Sequence, residues 1–231
     1  ERSFTVIPYD IEEWDITDRD AGERTIRDIR PDVILNLAAY TNVDECEDCL
    51  SLADRVNAEA PGIIAKLCSD HNIKFVHIST DYVFDGEKET PYREDDETNP
   101  TSVYGLSKLS GEKKVLANCP DATIIRTQWL YGHGGINFIT KITKIAREQG
   151  VAEVVNDQRG CPTYAKDIAD PILLLIEKNR SGIYHVANAG SCTWFDFARE
   201  IFSCLHIDVV LKPITSEQLN RKANRPRNSV F

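Results

Sequence analysis

The sequence predicts an α/β protein built on a doubly wound parallel sheet, with helices on both faces and a smaller C-terminal lobe. Two kinds of segment carry this prediction: short apolar runs rich in β-branched residues, and longer segments whose apolar residues recur with helical period. The two kinds alternate along most of the chain. Alternation of strand and helix favours parallel strands joined by helical crossovers, and such crossovers cover both faces of one sheet.

The elements follow in order from these patterns. The first strand is predicted at residues 4–7, and a helix follows at 18–30. Pro31 comes directly after that helical pattern, as expected where a proline ends a helix before a strand. Further strands are predicted at residues 33–37, 74–79, 122–126 and 183–186. Further helices are predicted at residues 58–71, 103–118, 138–149 and 167–178.

Composition and charge exclude several classes of protein. The 231 residues suffice for one α/β domain with an appended lobe. A net charge of −10, from 37 acidic and 27 basic residues, argues against nucleic acid as a partner. No stretch reaches the roughly 20 apolar residues of a membrane span, and no signal peptide is evident. We therefore expect a cytoplasmic protein that does not associate with a membrane.

The cysteine pattern does not indicate a disulfide framework or a metal site. Seven cysteines are an odd number, and their irregular spacing favours reduced thiols. Cys46 and Cys49 form a CxxC pair, but a zinc site requires a second ligand pair at similar spacing, and the sequence has none. We therefore predict no metal site.

Two other patterns favour structural roles. The acidic run at residues 94–97 is predicted to be a solvated loop, because adjacent carboxylates need not converge on an ion. A stripe of apolar residues with helical spacing is predicted to lie in the core rather than against a ligand. Its members are Trp194, Phe195, Phe197, Ile201 and Phe202.

Polar, aromatic and small residues follow the predicted strands. Ligands of open parallel sheets bind outside the carboxyl ends of the strands, so these positions are where a site is expected. The groups are Asp10, then residues 38–40, then 79–82, then 129–132.

Tyr104 and Lys108 lie four residues apart on a predicted helix and therefore share one face. A phenol ordinarily ionises near pH 10, and a neighbouring ammonium stabilises the phenolate, so the pair suits acid–base catalysis. The same ammonium can bind ribose hydroxyls. A Tyr/Lys pair on a helix is, however, most often part of a solvated face, so the spacing alone is weak evidence.

Thr80 supplies the context for that pair, because its hydroxyl follows an apolar strand about two dozen residues before Tyr104. A hydroxyl at this edge can orient a carbonyl group. The alternative is that Thr80 only caps the turn after the strand. The combination of Thr80 with Tyr104 and Lys108 favours the catalytic interpretation.

Several motifs together resemble the extended short-chain dehydrogenase/reductases, and within them the chain is similar to the dTDP-4-dehydrorhamnose reductase family. The broader resemblance rests on residues 79–86, 91–94, 103–108 and 111–112. The narrower one rests on residues 15–18, 30–34, 38–44, 126–132, 156–164 and 225–230. These motifs span nearly the whole chain, and their combination is specific.

The resemblance implies roles for individual residues. The implied catalytic residues are Thr80, Tyr104 and Lys108. The implied cofactor-binding residues are Asp10, Asp15, Ile16, Ala38, Ala39 and Tyr40, together with Tyr104 and Lys108. The implied substrate-binding residues are Val43, Thr80, Asp81, Tyr82, Trp129, Asn137 and Arg225. Arg225 or Arg227 would neutralise the pyrophosphate of a nucleotide sugar.

The main departure of the sequence from the family is that it contains no GxGxxG or GxxGxxG turn, and we also expect it to stop short of the family's C-terminal helix. We expect roughly 25 to 30 residues, a strand, a glycine-rich turn and a helix, to be missing upstream. The resemblance then divides the chain into a Rossmann-like NAD(P)-binding domain at residues 1–132 and a substrate-binding lobe at 133–231. Segments of the lobe are expected to return to the Rossmann core.

The implied activity is reduction, by NADPH or NADH, of the 4-keto group of dTDP-4-dehydro-β-L-rhamnose, in a protein that could be a homodimer. Asp10 favours tolerance of NADH, because a carboxylate accepts a bond from the ribose 2′-hydroxyl and repels a 2′-phosphate. One alternative is a non-catalytic NADP-binding subunit resembling the regulatory subunit of methionine adenosyltransferase. A second is another NDP-sugar epimerase, dehydratase or reductase. Trp129 and residues 160–164 favour the dTDP-4-dehydrorhamnose reductase.

Overall fold

The computed structural model describes residues 4–231. Its strands are β1 Val33–Asn36, β2 Lys74–Thr80, β3 Thr123–Thr127, β4 Leu130–Tyr131, β5 Val151–Val155, β6 Arg159–Gly160, β7 Thr163–Tyr164, β8 Gly182–His185, β9 Cys192–Thr193 and β10 Val210–Ile214. Its α-helices are α1 Arg19–Ile29, α2 Val43–Cys46, α3 Leu50–Asp54, α4 Ala60–His71, α5 Val103–Asn118, α6 Phe138–Gln149, α7 Ala169–Glu177, α8 Trp194–Cys204 and α9 Ser216–Leu219. A π-helical turn at Arg55–Glu59 joins α3 to α4, and a 3₁₀ turn at Asp81–Val83 follows β2.

The main sheet has the strand order β1-β2-β3-β8, and every pair in it is parallel. Successive side chains of a strand point to opposite faces, so the two faces are packed by different helices. Phe75 and Ile124 face α1, α4 and α5 in one core, whereas Val76 and Ile125 face α7 in another. The predicted doubly wound parallel fold is confirmed.

Most of the predicted elements are confirmed, with ends that differ by at most two residues from the structure. The strand predicted at residues 4–7 is wrong. These residues are not strand, and Val6 is 79 % exposed. Their apolar composition suits a strand, but a strand is stable only when a neighbour completes its hydrogen bonds, and no other described segment pairs with them. Asp10 accordingly does not end a strand.

The C-terminal lobe has its own core, formed where α6 and α8 pack on the parallel pair β5–β10. Its buried members are Ile142, Ala146, Ala152, Val154, Ala198, Ile201 and Phe202. Trp194, Phe195 and Phe197 pack against them, which confirms that the aromatic stripe belongs to a core. Capping boxes begin both helices, at Asn137 for α6 and at Thr193 for α8.

The chain crosses between the lobe and the main sheet more than once. Helix α7 and strand β8 come after the first part of the lobe, yet they pack on and extend the main sheet. The last residues cross again, where Gln128 Nε2 donates to Ser229 O at 2.8 Å and Tyr92 N donates to Val230 O at 2.7 Å. Among the helices of residues 4–231, none combines the length and apolarity that crossing a bilayer requires.

Candidate active site

Helix α5 presents three ionisable side chains on one buried face. Tyr104, Lys108 and Glu112 follow one another at intervals of four residues, and they are 9 %, 2 % and 2 % exposed. Gly105 lets this helix approach the turn after β2, because a Cβ there would lie 2.2 Å from Tyr82 O. The Tyr104–Lys108 pair is therefore not a solvated face.

Thr80 ends β2 beside that helix. Its Oγ1 accepts a bond from Tyr82 N at 3.2 Å, so Thr80 does cap the 3₁₀ turn. The same hydroxyl donates to Asp81 Oδ1 at 3.0 Å and lies next to the Tyr104 hydroxyl. The capping role and a catalytic role are thus compatible in this position.

The Tyr104 phenol is held in its protonated form. Burial raises its pKa above the usual value, and the Thr80 hydroxyl opposes that effect by favouring the phenolate. The Asp81 carboxylate raises the pKa of Tyr104 further. Lys108, which the sequence suggested as the group lowering this pKa, is not among the groups that shift it.

Lys108 instead points its ammonium toward strand β2. Its Nζ donates to Ile78 O at 2.7 Å, two residues before Thr80. Burial lowers the pKa of Lys108 to about 8, and the Glu112 carboxylate opposes this shift. One of its three donors is used here, so the contact with a ribose stays a prediction.

Glu112 forms a buried ion pair with Arg126 of strand β3. The fork has Arg126 Nε at 2.9 Å from Glu112 Oε1 and Arg126 Nη2 at 2.7 Å from Glu112 Oε2. Ser79 also donates to Glu112 Oε1. The pair fastens α5 to the ends of β2 and β3, next to Thr80. Both residues stood in the sequence motifs, but without an assigned role.

Asp81 is a buried carboxylate with only part of its hydrogen-bonding capacity used. Its Oδ1 accepts from Thr80, whereas Oδ2 has no partner in the described chain. Burial raises the pKa of Asp81 to about 6, and the hydroxyls of Ser229 and Thr80 oppose the shift. A buried unpartnered oxygen at a strand end is a place where a ligand hydroxyl can bind.

The loop after β1 lies beside α5 through a residue that the sequence analysis missed. Asn57, fully buried in the π-helical turn, accepts from Tyr40 N at 2.8 Å and donates to Tyr40 O at 3.0 Å and to Ser107 Oγ at 3.0 Å. It thereby ties residues 38–40 to the helix carrying Tyr104. A polar residue just before the predicted helix at 58–71 was the available signal, and π-helical turns are frequent at functional sites.

The predicted adenine-side residues occupy a separate stretch. Asp10 begins a turn, where its Oδ1 accepts from Glu12 N and its backbone O accepts from Trp14 N. Asp15 accepts from Thr17 through the backbone N and the hydroxyl. Ile16 packs against the core that contains α1. Their contact with adenine stays a prediction.

Several predicted ligand residues do come together around Tyr104. Tyr40, Val43 and Tyr82 pack in one cluster with it, and the Tyr82 and Tyr104 rings meet edge to face at 5.4 Å. The cluster also contains Cys46 and Ala53, from α2 and α3, and Val103 at the start of α5. A pocket wall lined by aromatic rings is suited to one face of a sugar.

Arg225 lies next to this cluster but is already paired. Its guanidinium forms a fork with Asp44, at 3.1 Å and 2.8 Å, and this contact holds the pKa of Asp44 below its usual range. Arg225 is also within hydrogen-bonding reach of Tyr82. A bound pyrophosphate would have to share this arginine with Asp44. Arg227 is exposed.

Asn137 and Trp129 both have structural contacts. Asn137 caps α6 by accepting from Thr140 N at 3.3 Å, and it donates to Gly132 O at 2.9 Å. Trp129, half-buried, follows β3 and stacks on Trp194 with ring centroids 3.5 Å apart. Contact of either residue with a substrate stays a prediction.

The parallel sheet and the Thr80–Tyr104–Lys108 group at its carboxyl edge define an extended short-chain dehydrogenase/reductase. The family model described as RmlD substrate binding domain matches residues 1–231. Together with the relatives described next, this match shows that the chain belongs to the dTDP-4-dehydrorhamnose reductase family.

The relatives are similar over nearly the whole chain. A dTDP-4-dehydrorhamnose reductase of Mycolicibacterium smegmatis is 41 % identical over 234 residues, covering 100 % of this chain and 71 % of its own length. The spore coat polysaccharide biosynthesis protein SpsK of Bacillus subtilis is 39 % identical, with coverage of 99 % and 80 %. The crystal structure of a dTDP-4-dehydrorhamnose reductase from Bacillus anthracis in complex with NADP has 39 % identity, a TM-score of 0.95, and coverage of 97 % and 80 %.

Proposed function

We propose that this protein reduces the 4-keto group of dTDP-4-dehydro-β-L-rhamnose to give dTDP-L-rhamnose, with NADPH or NADH as the reductant. The observation that carries the proposal is that Thr80, Tyr104 and Lys108 are buried together at the carboxyl edge of the sheet, where Lys108 Nζ donates to Ile78 O two residues before Thr80 and Tyr104 packs on Tyr82 two residues after it. Membership of the dTDP-4-dehydrorhamnose reductase family supports the substrate and the cofactor.

The residues at this edge fit a nicotinamide cofactor. Asp81 Oδ2, Tyr40 OH and Thr127 Oγ1 are buried polar atoms without a partner in the described chain, and such atoms normally bind a ligand or water. Residues 38–40, Tyr104 and Lys108 would hold the nicotinamide half. When bound, the reduced nicotinamide supplies the hydride that reaches C4 of the sugar.

The side chains of the protein handle the proton and the position of the keto group. Tyr104 is kept protonated by burial, so it can donate its proton to the oxygen of the developing alkoxide. Thr80 hydrogen-bonds the same oxygen and fixes its direction. Lys108 keeps its ammonium on the same buried face of α5, where Nζ donates to Ile78 O and has two further donors for the ribose of the cofactor.

The test is turnover by the purified chain with dTDP-4-dehydro-β-L-rhamnose and NADPH or NADH. We expect loss of nicotinamide absorbance in step with formation of dTDP-L-rhamnose, identified by NMR. dTDP-glucose, which has no keto group, is the matched control and should give no oxidation. Cofactor binding without turnover would instead indicate a non-catalytic, regulatory protein.

Three broader features belong to the same proposal. Residues 1–132 form the cofactor-binding domain and residues 133–231 the substrate-binding lobe, which limited proteolysis with and without ligand would test. The protein forms a homodimer, for which sedimentation equilibrium is the measurement. It acts in the cytoplasm, where fractionation of the source cells should find it.

A further inference from the structure

Trp129 and Trp194 form a stacked pair between the main sheet and the C-terminal lobe. Trp129 follows β3, whereas Trp194 begins α8. Their ring centroids lie 3.5 Å apart, and their planes differ by 8°. The lobe therefore provides the surface on which an indole of the sheet edge lies.

The backbone of Trp129 is in an uncommon conformation. Its φ of +46° is in the left-handed region, which is strained for a bulky residue. Neighbouring bonds hold it there: Thr163 N donates to Trp129 O at 3.1 Å, and Cys161 N donates to the side chain of Gln128 at 2.7 Å. Strain of this kind persists only where the surroundings compensate for it.

Gly160 leaves the space that the Trp129 ring occupies. A Cβ at this position would lie 2.5 Å from Trp129 Cε2 and 2.6 Å from Nε1. Any side chain would therefore displace the indole or the strand β6. The indole thus lies between Gly160, which has no side chain to displace it, and the ring of Trp194, which stacks on it.

Trp194 is itself held by the core of the lobe. Its ring lies 4.4 Å from the Phe138 ring, centroid to centroid, and Phe197 packs against both. Thr193 and Asp196 cap the helix at this point. The position of Trp194 is thus set by elements remote from the catalytic helix.

The stacked pair lies close to the catalytic edge. Thr127, two residues before Trp129, pairs in register with Thr80. Gln128, between these two residues, is buried and fixes this end of β3 through bonds with Cys161 N and Ser229 O. Trp129 as a whole residue is half-buried.

We propose that Trp194 and Gly160 are positioning residues for sugar recognition, because together they hold the Trp129 indole against the site where the sugar of the nucleotide substrate binds. In this role, the part of the indole that Trp194 leaves uncovered packs on the apolar face of the deoxysugar. This inference rests on the proposed function for the identity of the substrate. It assigns part of the specificity to the lobe core rather than to the sheet edge.

The first test separates KM from kcat. Trp194→Leu should raise KM for the sugar nucleotide about tenfold, while kcat and KM for the cofactor stay within about twofold. Trp194→Phe retains a stacking ring and should recover most of the affinity. Phe202→Leu is the matched control, since Phe202 is buried in the same lobe core and makes no ring contact with Trp129 or Trp194. An unchanged KM in Trp194→Leu, or an equal rise in Phe202→Leu, overturns the proposal.

The second test reads the stack directly. Two indoles this close should give an exciton couplet in the circular dichroism spectrum. The protein has three tryptophans, so each can be replaced in turn. Trp129→Phe and Trp194→Phe should each abolish the couplet and Trp14→Phe should keep it, whereas Gly160→Ala should weaken it together with the affinity for the sugar. A Gly160→Ala variant that is folded, with the couplet lost and KM unchanged, contradicts the proposal.

Failure of the proposed function would be visible separately. If the wild type does not turn over, calorimetric binding of dTDP-L-rhamnose still compares Trp194→Leu with Phe202→Leu. Selective weakening in Trp194→Leu, by about tenfold, supports the positioning role even then. Equal affinity in the two variants, or no binding by the wild type, overturns it.

Discussion

The catalytic edge of the main sheet and the core of the C-terminal lobe are stabilised in different ways. Asp81, Lys108, Glu112 and Arg126 are the buried charged side chains of residues 4–231, and all of them lie at that edge or on α5. The lobe core is apolar and aromatic. Burying a charged group has a desolvation cost, whereas burying apolar surface does not. The catalytic edge therefore contributes less to the free energy of folding than an apolar core of the same size would.

This comparison teaches where function is to be sought in such a fold. Groups with shifted pKa values concentrate at functional sites, because catalysis requires protonation states that water does not favour. Here Asp81 and Lys108 show opposite shifts, both caused by burial. The role that we propose for Trp194 of the lobe is to position another side chain, and it requires no shifted pKa.

The largest effect is expected from Tyr104→Phe, which tests whether the edge is catalytic at all. Turnover should fall by about 10²- to 10⁴-fold, the range for losing a general acid. Folding should persist, since phenylalanine keeps the edge-to-face contact with Tyr82. Tyr184→Phe, in strand β8, is the control and should keep normal turnover. Near-normal kcat in Tyr104→Phe would place the proton donor elsewhere.

Glu112→Gln tests the cost of buried charge. It should destabilise the protein by about 3 to 5 kcal/mol, because Arg126 is left buried without its partner. Urea unfolding measures the difference. Glu148→Gln removes the exposed pair with Lys144 in the lobe and should cost less than about 1 kcal/mol. Equal costs for the two pairs would contradict the contrast between the regions.

Asp81→Asn should have the opposite sign. The folded pKa of about 6 lies above the unfolded value of 3.8, so the native state binds the extra proton and stability falls as pH rises between these values. Removing the charge should therefore stabilise the protein at pH 7 by up to about 3 kcal/mol. The gain should vanish near pH 4, as thermal unfolding at several pH values would show. A gain independent of pH would mean that Asp81 is not charged in the fold.

The smallest effects should come from matched apolar substitutions. Ile142→Val in the lobe and Ile125→Val in the main sheet each remove one buried methylene and should cost about 1 kcal/mol. Neither should change kcat or KM. If urea unfolding gives similar losses of stability for the two variants, the two regions differ only in their charged groups. A much larger loss in one variant would show that apolar packing differs between the regions as well.

Much of the fold could be predicted because its signals are local. Helix α5 was predicted at its observed bounds, since its period and its capping residue are written in one continuous segment. The strand at residues 4–7 failed because pairing depends on a neighbour that composition does not reveal. The π-helical turn around Asn57 was missed for a related reason, since its bonds to Tyr40 and Ser107 are long-range.

The site could be predicted only in part for the same physical reason. The spacing of Tyr104 and Lys108 indicated a shared face, but not that Lys108 would donate to Ile78 O. Arg225 was expected to be available for a pyrophosphate, yet its fork with Asp44 joins residues 181 positions apart. A sequence motif indicates which face of an element a side chain lies on. Its hydrogen-bonding partner depends on tertiary packing, which the motif does not contain.

The return of α7 and β8 to the main sheet has a consequence for synthesis of the protein on the ribosome. Strand β3 is synthesised before the lobe segments from β4 to β7. Its sheet neighbour β8 is synthesised only after those segments. Until β8 appears, the nascent sheet has an unpaired edge at β3, and the apolar face beneath α7 is uncovered. During this interval the exposed strand edge and apolar face can associate with other nascent chains. The risk of aggregation ends only when α7 and β8 have been synthesised and have packed on the sheet.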